Sequence, residues 1–256
     1  MRTTAAITVL ALTIPPAAEA AVGDVIASWE TPKPGGGFNG IAYDGEYVWV
    51  KNCLSDSGWV YRCTFYGRVV SQIGLPYSSP SYFSYGLTYD GEYLWTNYQY
   101  NKFPICDNYR QYTTTGSYMQ EFVLHVWYGS QSRVVTWDGL YLWTDTPDHR
   151  YAEKVSTAGS VVARKPMPLE MASDAAYYRR QLWYYGGDGL VYGVTLNGSV
   201  AASFPAPGGS CDGAAFDGEY LWTLGGTSYP QYVYKVDIGV VGVAPASVGR
   251  VKALFR

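Results

Sequence analysis

A ten-residue motif returns five times along this 256-residue chain. It reads Gly40-Ile-Ala-Tyr-Asp-Gly-Glu-Tyr-Val-Trp49, Gly86-Leu-Thr-Tyr-Asp-Gly-Glu-Tyr-Leu-Trp95 and Val134-Val-Thr-Trp-Asp-Gly-Leu-Tyr-Leu-Trp143. A degenerate copy, Asp174-Ala-Ala-Tyr-Tyr-Arg-Arg-Gln-Leu-Trp183, precedes the last, Gly213-Ala-Ala-Phe-Asp-Gly-Glu-Tyr-Leu-Trp222. The motif tryptophans stand 46, 48, 40 and 39 residues apart. A period of about 40–50 residues is that of propeller blades.

Each copy carries the chemistry of a hairpin. A short apolar run, strand A, reaches Asp-Gly, which accepts the positive φ of a tight reversal. Tyr-Leu-Trp then returns as strand B with alternating faces. A third strand follows in every copy, such as Val60-Tyr-Arg-Cys63 or Val233-Tyr-Lys-Val236, and a Gly-containing turn follows most of these. A fourth strand D comes next, as in Val200-Ala-Ala-Ser-Phe204. There are five A-B-C sets but only four D strands after them. The missing one stands at Asp24-Val-Ile-Ala-Ser-Trp29, before the first motif. The chain therefore reads as an all-β, five-bladed β-propeller of four-stranded blades. Its N-terminal strand is expected to become the outer strand of the last blade, a closure that hides sheet edges.

The Asp-Gly-Glu-Tyr-Leu-Trp hairpins and the Gly-Ser turns before the D strands resemble secreted bacterial and archaeal propellers with NHL/YVTN-like blades. The resemblance spans residues 24–239 and implies a fold rather than an activity, because propellers host many functions. Blade four departs from it: Tyr178-Arg179-Arg180 stands where the others have Asp-Gly-Glu, so its turn should differ.

Residues 1–20 read as a signal peptide, with an apolar stretch after Arg2 and the small-x-small site Ala18-Glu19-Ala20. The propeller is expected over residues 21–239 and a tail over 240–256, and the protein is expected to be secreted and to act at the cell surface. Disulfides persist in such a setting. Cys53, Cys63, Cys106 and Cys211 allow three pairings, and at least one bridge is expected. Charged residues make up only 15% of the chain against about 25% in ordinary domains. The net charge of −3 comes without a basic cluster, which excludes a nucleic-acid partner. No apolar run reaches the roughly 18 residues of a membrane span.

The motif tryptophans are expected to fill the wedges between blades, with Tyr47, Tyr93, Tyr141 and Tyr220 beside them and their hydroxyls at a rim. Asp44, Asp90, Asp138 and Asp217 read as turn residues set too far apart to share an ion, so no metal and no cofactor is expected. Non-repeating residues gather at the opposite face. Aromatics beside Asn and Asp suit carbohydrate, and Tyr82, Phe83, Asn97, Trp127, Tyr128, Asp145 and His149 are the candidate ligand-binding residues. Catalysis finds no motif: there are two histidines, no Gly-x-Ser-x-Gly and no His-Glu-x-x-His. The chain is thus expected to be a non-catalytic structural or interaction module, with a glycan-binding lectin as the alternative and a propeller lyase or hydrolase as a third reading. The tail carries Arg250, Lys252 and Arg256 and no acid, against a net −6 on residues 21–239. Its apolar residues suggest a strand added to a second copy, with Val251, Leu254, Phe255 and Arg256 as assembly candidates. The partners expected are therefore the protein itself or surface glycans.

Overall fold

The computed structural model describes residues 21–32, 37–52, 58–75, 82–100, 105–127, 132–226 and 230–239. Twenty strands fall among these residues, with one 3-10 turn at Pro207–Gly209. No helix there is long and apolar enough to cross a membrane. Strand β1 (Val25–Glu30) precedes blade one, which is β2 (Phe38–Tyr43), β3 (Val48–Asn52), β4 (Gly58–Cys63) and β5 (Val69–Leu75). Blade two is β6 (Tyr82–Tyr89), β7 (Tyr93–Tyr100), β8 (Ile105–Thr113) and β9 (Tyr118–Trp127). Blade three is β10 (Thr136–Trp137), β11 (Leu142–Asp145), β12 (Tyr151–Val155) and β13 (Val161–Pro166). Blade four is β14 (Ala175–Tyr178), β15 (Gln181–Tyr185), β16 (Leu190–Thr195) and β17 (Val200–Pro205). Blade five takes β18 (Gly213–Phe216), β19 (Leu221–Gly225) and β20 (Tyr232–Val236) from the end of the described chain.

Every blade is a four-stranded antiparallel sheet, and the last is completed by β1, which pairs with β20 from Val25 opposite Val236 to Glu30 opposite Tyr232. The five-bladed ring closed by its N-terminal strand is therefore observed. The innermost strands β2, β6, β10, β14 and β18 touch one another in ring order around the central channel.

The core is divided among the blade interfaces. Each of five buried apolar clusters draws on two neighbouring blades, and each holds a different motif tryptophan. Trp49, Trp95, Trp143, Trp183 and Trp222 are at most 3% exposed. A wedge-shaped gap widens away from the axis, and an indole fills it at close-packed density.

The repeated aspartate explains why the motif is so constant. Asp44 Oδ1 accepts the amide N–H groups of Glu46 and Tyr47, which orders the turn, and Arg62 on β4 pairs with Oδ2 at 3.3 Å. The Arg62 guanidinium lies 3.9 Å above the Tyr47 ring. Lys154 repeats this arrangement on Asp138 and Tyr141, and Lys235 repeats it on Asp217 and Tyr220. Turn, interface tryptophan and third strand are thus joined through one carboxylate. Blade four lacks it, and its turn does differ: Arg179 and Arg180 both adopt positive φ, 47° and 65°.

Two of the cysteines, Cys63 and Cys211, are buried free thiols, so neither forms the expected bridge. Cys106 lies half-buried in β8, and Cys53 lies outside the described residues. Residues 1–20 and the tail, with Val251, Leu254, Phe255 and Arg256, also lie outside them.

Candidate functional site at the channel mouth

The inner strands all run in the same sense, from an open mouth of the channel to the Asp-Gly turns. The residue immediately before each motif copy stands at that mouth: Asn39, Tyr85, Arg133, Ser173 and Asp212. Together with Ala172 and Asp174 they line one cavity of about 200 Å³. The residue differs in every blade, whereas the turn and the tryptophan further along the motif largely repeat. The ring therefore presents an amide, a phenol, a guanidinium, a hydroxyl and a carboxyl to the same space.

Each is fixed by local geometry. Asn39 is the extra residue of a bulge between β2 and β3, where the pairing passes from Phe38–Asn52 to Gly40–Lys51. A bulge re-aims a side chain out of the ladder. Its Nδ2 donates to the Ser84 carbonyl, and its Oδ1 is buried without a hydrogen-bond donor. Arg133 Nη1 donates to the Ala172 carbonyl at 2.9 Å. Asp212 Oδ2 accepts from Gln231 Nε2 at 3.0 Å. Burial pushes the Asp212 carboxyl up to about 6, against the pull of Gln231.

The floor of the mouth is built from buried polar groups. Asp174 accepts the amide N–H groups of Leu87, Val135 and Ala175 at 2.9–3.0 Å and so ties three inner strands together. Gly86 makes room for it: a Cβ there would lie 3.0 Å from Asp174 Oδ1 and 2.7 Å from Val135. Burial drives the Asp174 carboxyl well above its usual range, against its three N–H donors and the charge of Lys51. Lys51 is fully buried, and its ammonium donates to Ser84 Oγ, Thr96 Oγ1 and the carbonyls of Tyr85 and Gly86.

Behind the ring, a buried network positions Arg133. Asp145 Oδ1 accepts from Ser132 Oγ and from the amides of Arg133 and Val134 at 2.7–2.9 Å, and Oδ2 meets His149 Nδ1 at 2.5 Å. Asn97 Nδ2 donates to the Ser132 carbonyl at 2.8 Å. Asn97, Asp145 and His149, three of the residues expected at a ligand face, are thus 2%, 0% and 5% exposed and bonded inward. They hold the segment that presents Arg133. Tyr82 and Phe83 open β6 and Trp127 ends β9. Their side chains, and all of Tyr128, lie outside the described residues. The mouth residues are not among the positions expected from the sequence, because each stands at or just before the start of an inner strand and not out in a loop between blades. The signal that marks them is a polar residue, different in each blade, immediately before every motif copy.

Among the described residues no three His, Cys, Asp or Glu side chains converge as metal ligands. The four turn aspartates are each engaged within their own blade.

No protein-family model and no curated protein sequence matches the chain. Solved structures do match. The chain is similar to a glutaminyl cyclase from Myxococcus xanthus, with a TM-score of 0.61 and 12% identity over 84% of this chain and 98% of that one. It is also similar to a calcium-binding protein, regucalcin, from Agrobacterium tumefaciens, with a TM-score of 0.53 and 11% identity over 84% and 95% of the two chains. Identities this low establish a shared fold, and the resemblance seen in the repeats holds at that level. The comparison corrects the expectation of a non-catalytic module. An enzyme uses this architecture, so a missing catalytic motif does not decide against catalysis here.

Proposed function

We propose that the channel mouth binds a small zwitterion of amino-acid size, with its carboxylate on Arg133 and its amine on Asp212. The observation that carries this reading is the ring of five unlike polar residues, one from each blade, around a single cavity of about 200 Å³. A cavity of that size is below the roughly 300–1,000 Å³ of sites for drug-sized ligands. A guanidinium matches a carboxylate geometrically. A carboxyl poised near 6 pairs with an ammonium at neutral pH and is suited to exchange a proton with it. The test is thermal shift with the proteinogenic amino acids, their N-acetyl derivatives and their amides. At least one free amino acid should raise Tm while its two blocked forms do not, and Arg133→Met or Asp212→Asn should remove the effect. If no amino acid at millimolar concentration raises Tm, or if the blocked forms act equally, the reading fails.

A second reading, assembly of an exported protein, is favoured by a separate feature. Each sheet ends on its D strand. Those strands begin with exposed apolar residues: Val25 and Ile26, Val69 and Val70, Tyr118 and Met119, Val161 and Val162, and Val200. The apolar, basic residues of 240–256 suit addition to such an edge on a second copy. Light scattering of the chain with and without residues 244–256 tests this. Assemblies lost with the tail support it, and identical size distributions overturn it.

A further inference from the structure

The Asp-Gly turns lie at the end of the propeller away from the mouth. Strands alternate in direction within each blade, so the C–D turns stand at that same end. The closure of blade five stands there too, where the Gly23 amide donates to the Asp237 carbonyl at 2.7 Å. Most of the exposed apolar surface gathers here. Tyr66, in the C–D turn of blade one, is 91% exposed, and Leu140, in the A–B turn of blade three, is 67% exposed. The exposed starts of the D strands rim the same end. Of the large apolar residues that are exposed among the described ones, only Val123 and Tyr151 lie elsewhere. Apolar surface collected on one side of a molecule marks an interaction site.

The charges of this face are divided. Blades five, one and two are neighbours in the ring and carry Glu219, Glu46 and Glu92 at the same turn position. Blade three has Leu140 there, and blade four has Arg180, beside Arg179. These three glutamates and two arginines are all exposed, and none is in an ion pair among the described residues. Asp24 and Asp237 add acid at blade five, and Arg68 is a cation in the C–D turn of blade one. The two blade-four arginines both sit at positive φ. Backbone strain of this kind concentrates at functional sites.

We propose that the turn-end face is the contact between two copies of this chain, stacked face to face about a two-fold axis, with blade four of each copy over an acidic blade of the other. One surface carries both halves of the charge pattern, so a second copy supplies the complement of each half, and a two-fold axis forms the contact twice. The A–B and C–D turns of the ring offer about the 20–30 residues that a standard interface takes from each side. Tyr66, Leu140 and the apolar rim provide surface to bury, and the opposed charges fix the register. The contact leaves the channel mouth open and uses no residue of 240–256, so it is independent of both readings above.

The experiment is sedimentation equilibrium of the intact chain over a range of concentrations, repeated without residues 244–256. Two charge-swapped variants are compared, one with Arg179→Glu and Arg180→Glu, the other with Glu46→Lys, Glu92→Lys and Glu219→Lys. A third, Leu140→Glu, gives blade three the turn sequence of its neighbours and so keeps the fold. Each is checked for a native circular dichroism spectrum. The parent should reach the mass of two copies with or without the tail. Each charge-swapped variant alone should pair about tenfold or more weakly, because like charges then face each other, and Leu140→Glu should pair several-fold more weakly. An equimolar mixture of the two charge-swapped variants should pair again, since both contacts then join opposite charges, a recovery that damage to the fold cannot produce. A mass of one copy at every concentration, a dimer that depends on the tail, full pairing in Leu140→Glu, or a mixture of folded variants no better paired than its components would overturn the assignment.

Discussion

Asp44 accepts the indole N–H of Trp49, five residues further on, at 2.8 Å. Asp90 and Trp95, Asp138 and Trp143, and Asp217 and Trp222 repeat the bond at 2.7–2.8 Å. A buried indole N–H left without a partner costs about 1–3 kcal/mol, so the residue that makes the turn also satisfies the residue that fills the wedge. In blade four Tyr178 takes the aspartate's place and stacks on Phe216, with ring centres 3.5 Å apart, and Trp183 Nε1 is buried without an acceptor.

Blade four should therefore be improvable. Arg179 and Arg180 both occupy the left-handed region, at roughly 1–2 kcal/mol for each L-residue. Asn-Gly is the sequence that a two-residue hairpin of this form prefers. The double variant Arg179→Asn, Arg180→Gly should raise unfolding free energy by about 1–3 kcal/mol, read by urea denaturation. A loss of stability would mean that the arginines make a contact worth more than the strain.

Closure of the ring should govern cooperativity. Trp29 on β1 is buried in the interface of blades five and one, beside Val233 and Trp222. Removing residues 21–31 opens the edge of β20 and strips that cluster of its indole. Loss of a buried tryptophan alone costs about 3–5 kcal/mol. The shortened chain should be insoluble or unfold without a sharp transition. An unchanged Tm would contradict the observed pairing.

Stability should depend on pH through Asp212. Its carboxyl rises from 3.8 to about 6 on folding, so the native state holds a proton that the unfolded chain has released. Its contribution to stability is present in full below about pH 4 and is lost as pH rises through about 6. The loss is on the order of 3 kcal/mol. Asp212→Asn keeps an acceptor for Gln231 and removes the titration. The variant should gain on the parent between pH 4.5 and 7.5, measured as the difference between their unfolding free energies. A constant difference across that range would show that Asp212 does not titrate there.

The thiols of Cys63 and Cys211 should be silent in the native protein. Both are buried, and burial pushes each up to about 12, with the Asp212 charge adding to the effect on Cys211. The thiolate is the reactive form. Alkylation at pH 8 should label neither residue until denaturant is added, after which both should react without a reductant. Mass spectrometry of the labelled peptides reads the result, and native labelling of either would refute the burial.

Much of the architecture is legible in short stretches of sequence. The Asp-Gly turns, the alternation around each tryptophan and the period between copies are local properties, and counting strands was enough to assign Asp24–Trp29 to the last blade. The same local chemistry showed that Tyr178-Arg179-Arg180 must turn differently. What it could not show is which residues meet at the axis. Asn39, Tyr85, Arg133, Ser173 and Asp212 lie in five separate copies, and no one copy reveals that they share a cavity. Asp174 stood in the motif only as a departure from glycine or valine. Its role appears when three inner strands bring their amides to it, with Lys51 close by. Asn97, Asp145 and His149 looked like loop residues open to a ligand because polarity alone does not reveal burial. The tertiary structure decided their place: packing of the blades around the axis enclosed them, and most buried polar groups pair inside the protein, as Asn97 Nδ2 does with the Ser132 carbonyl and Asp145 with His149.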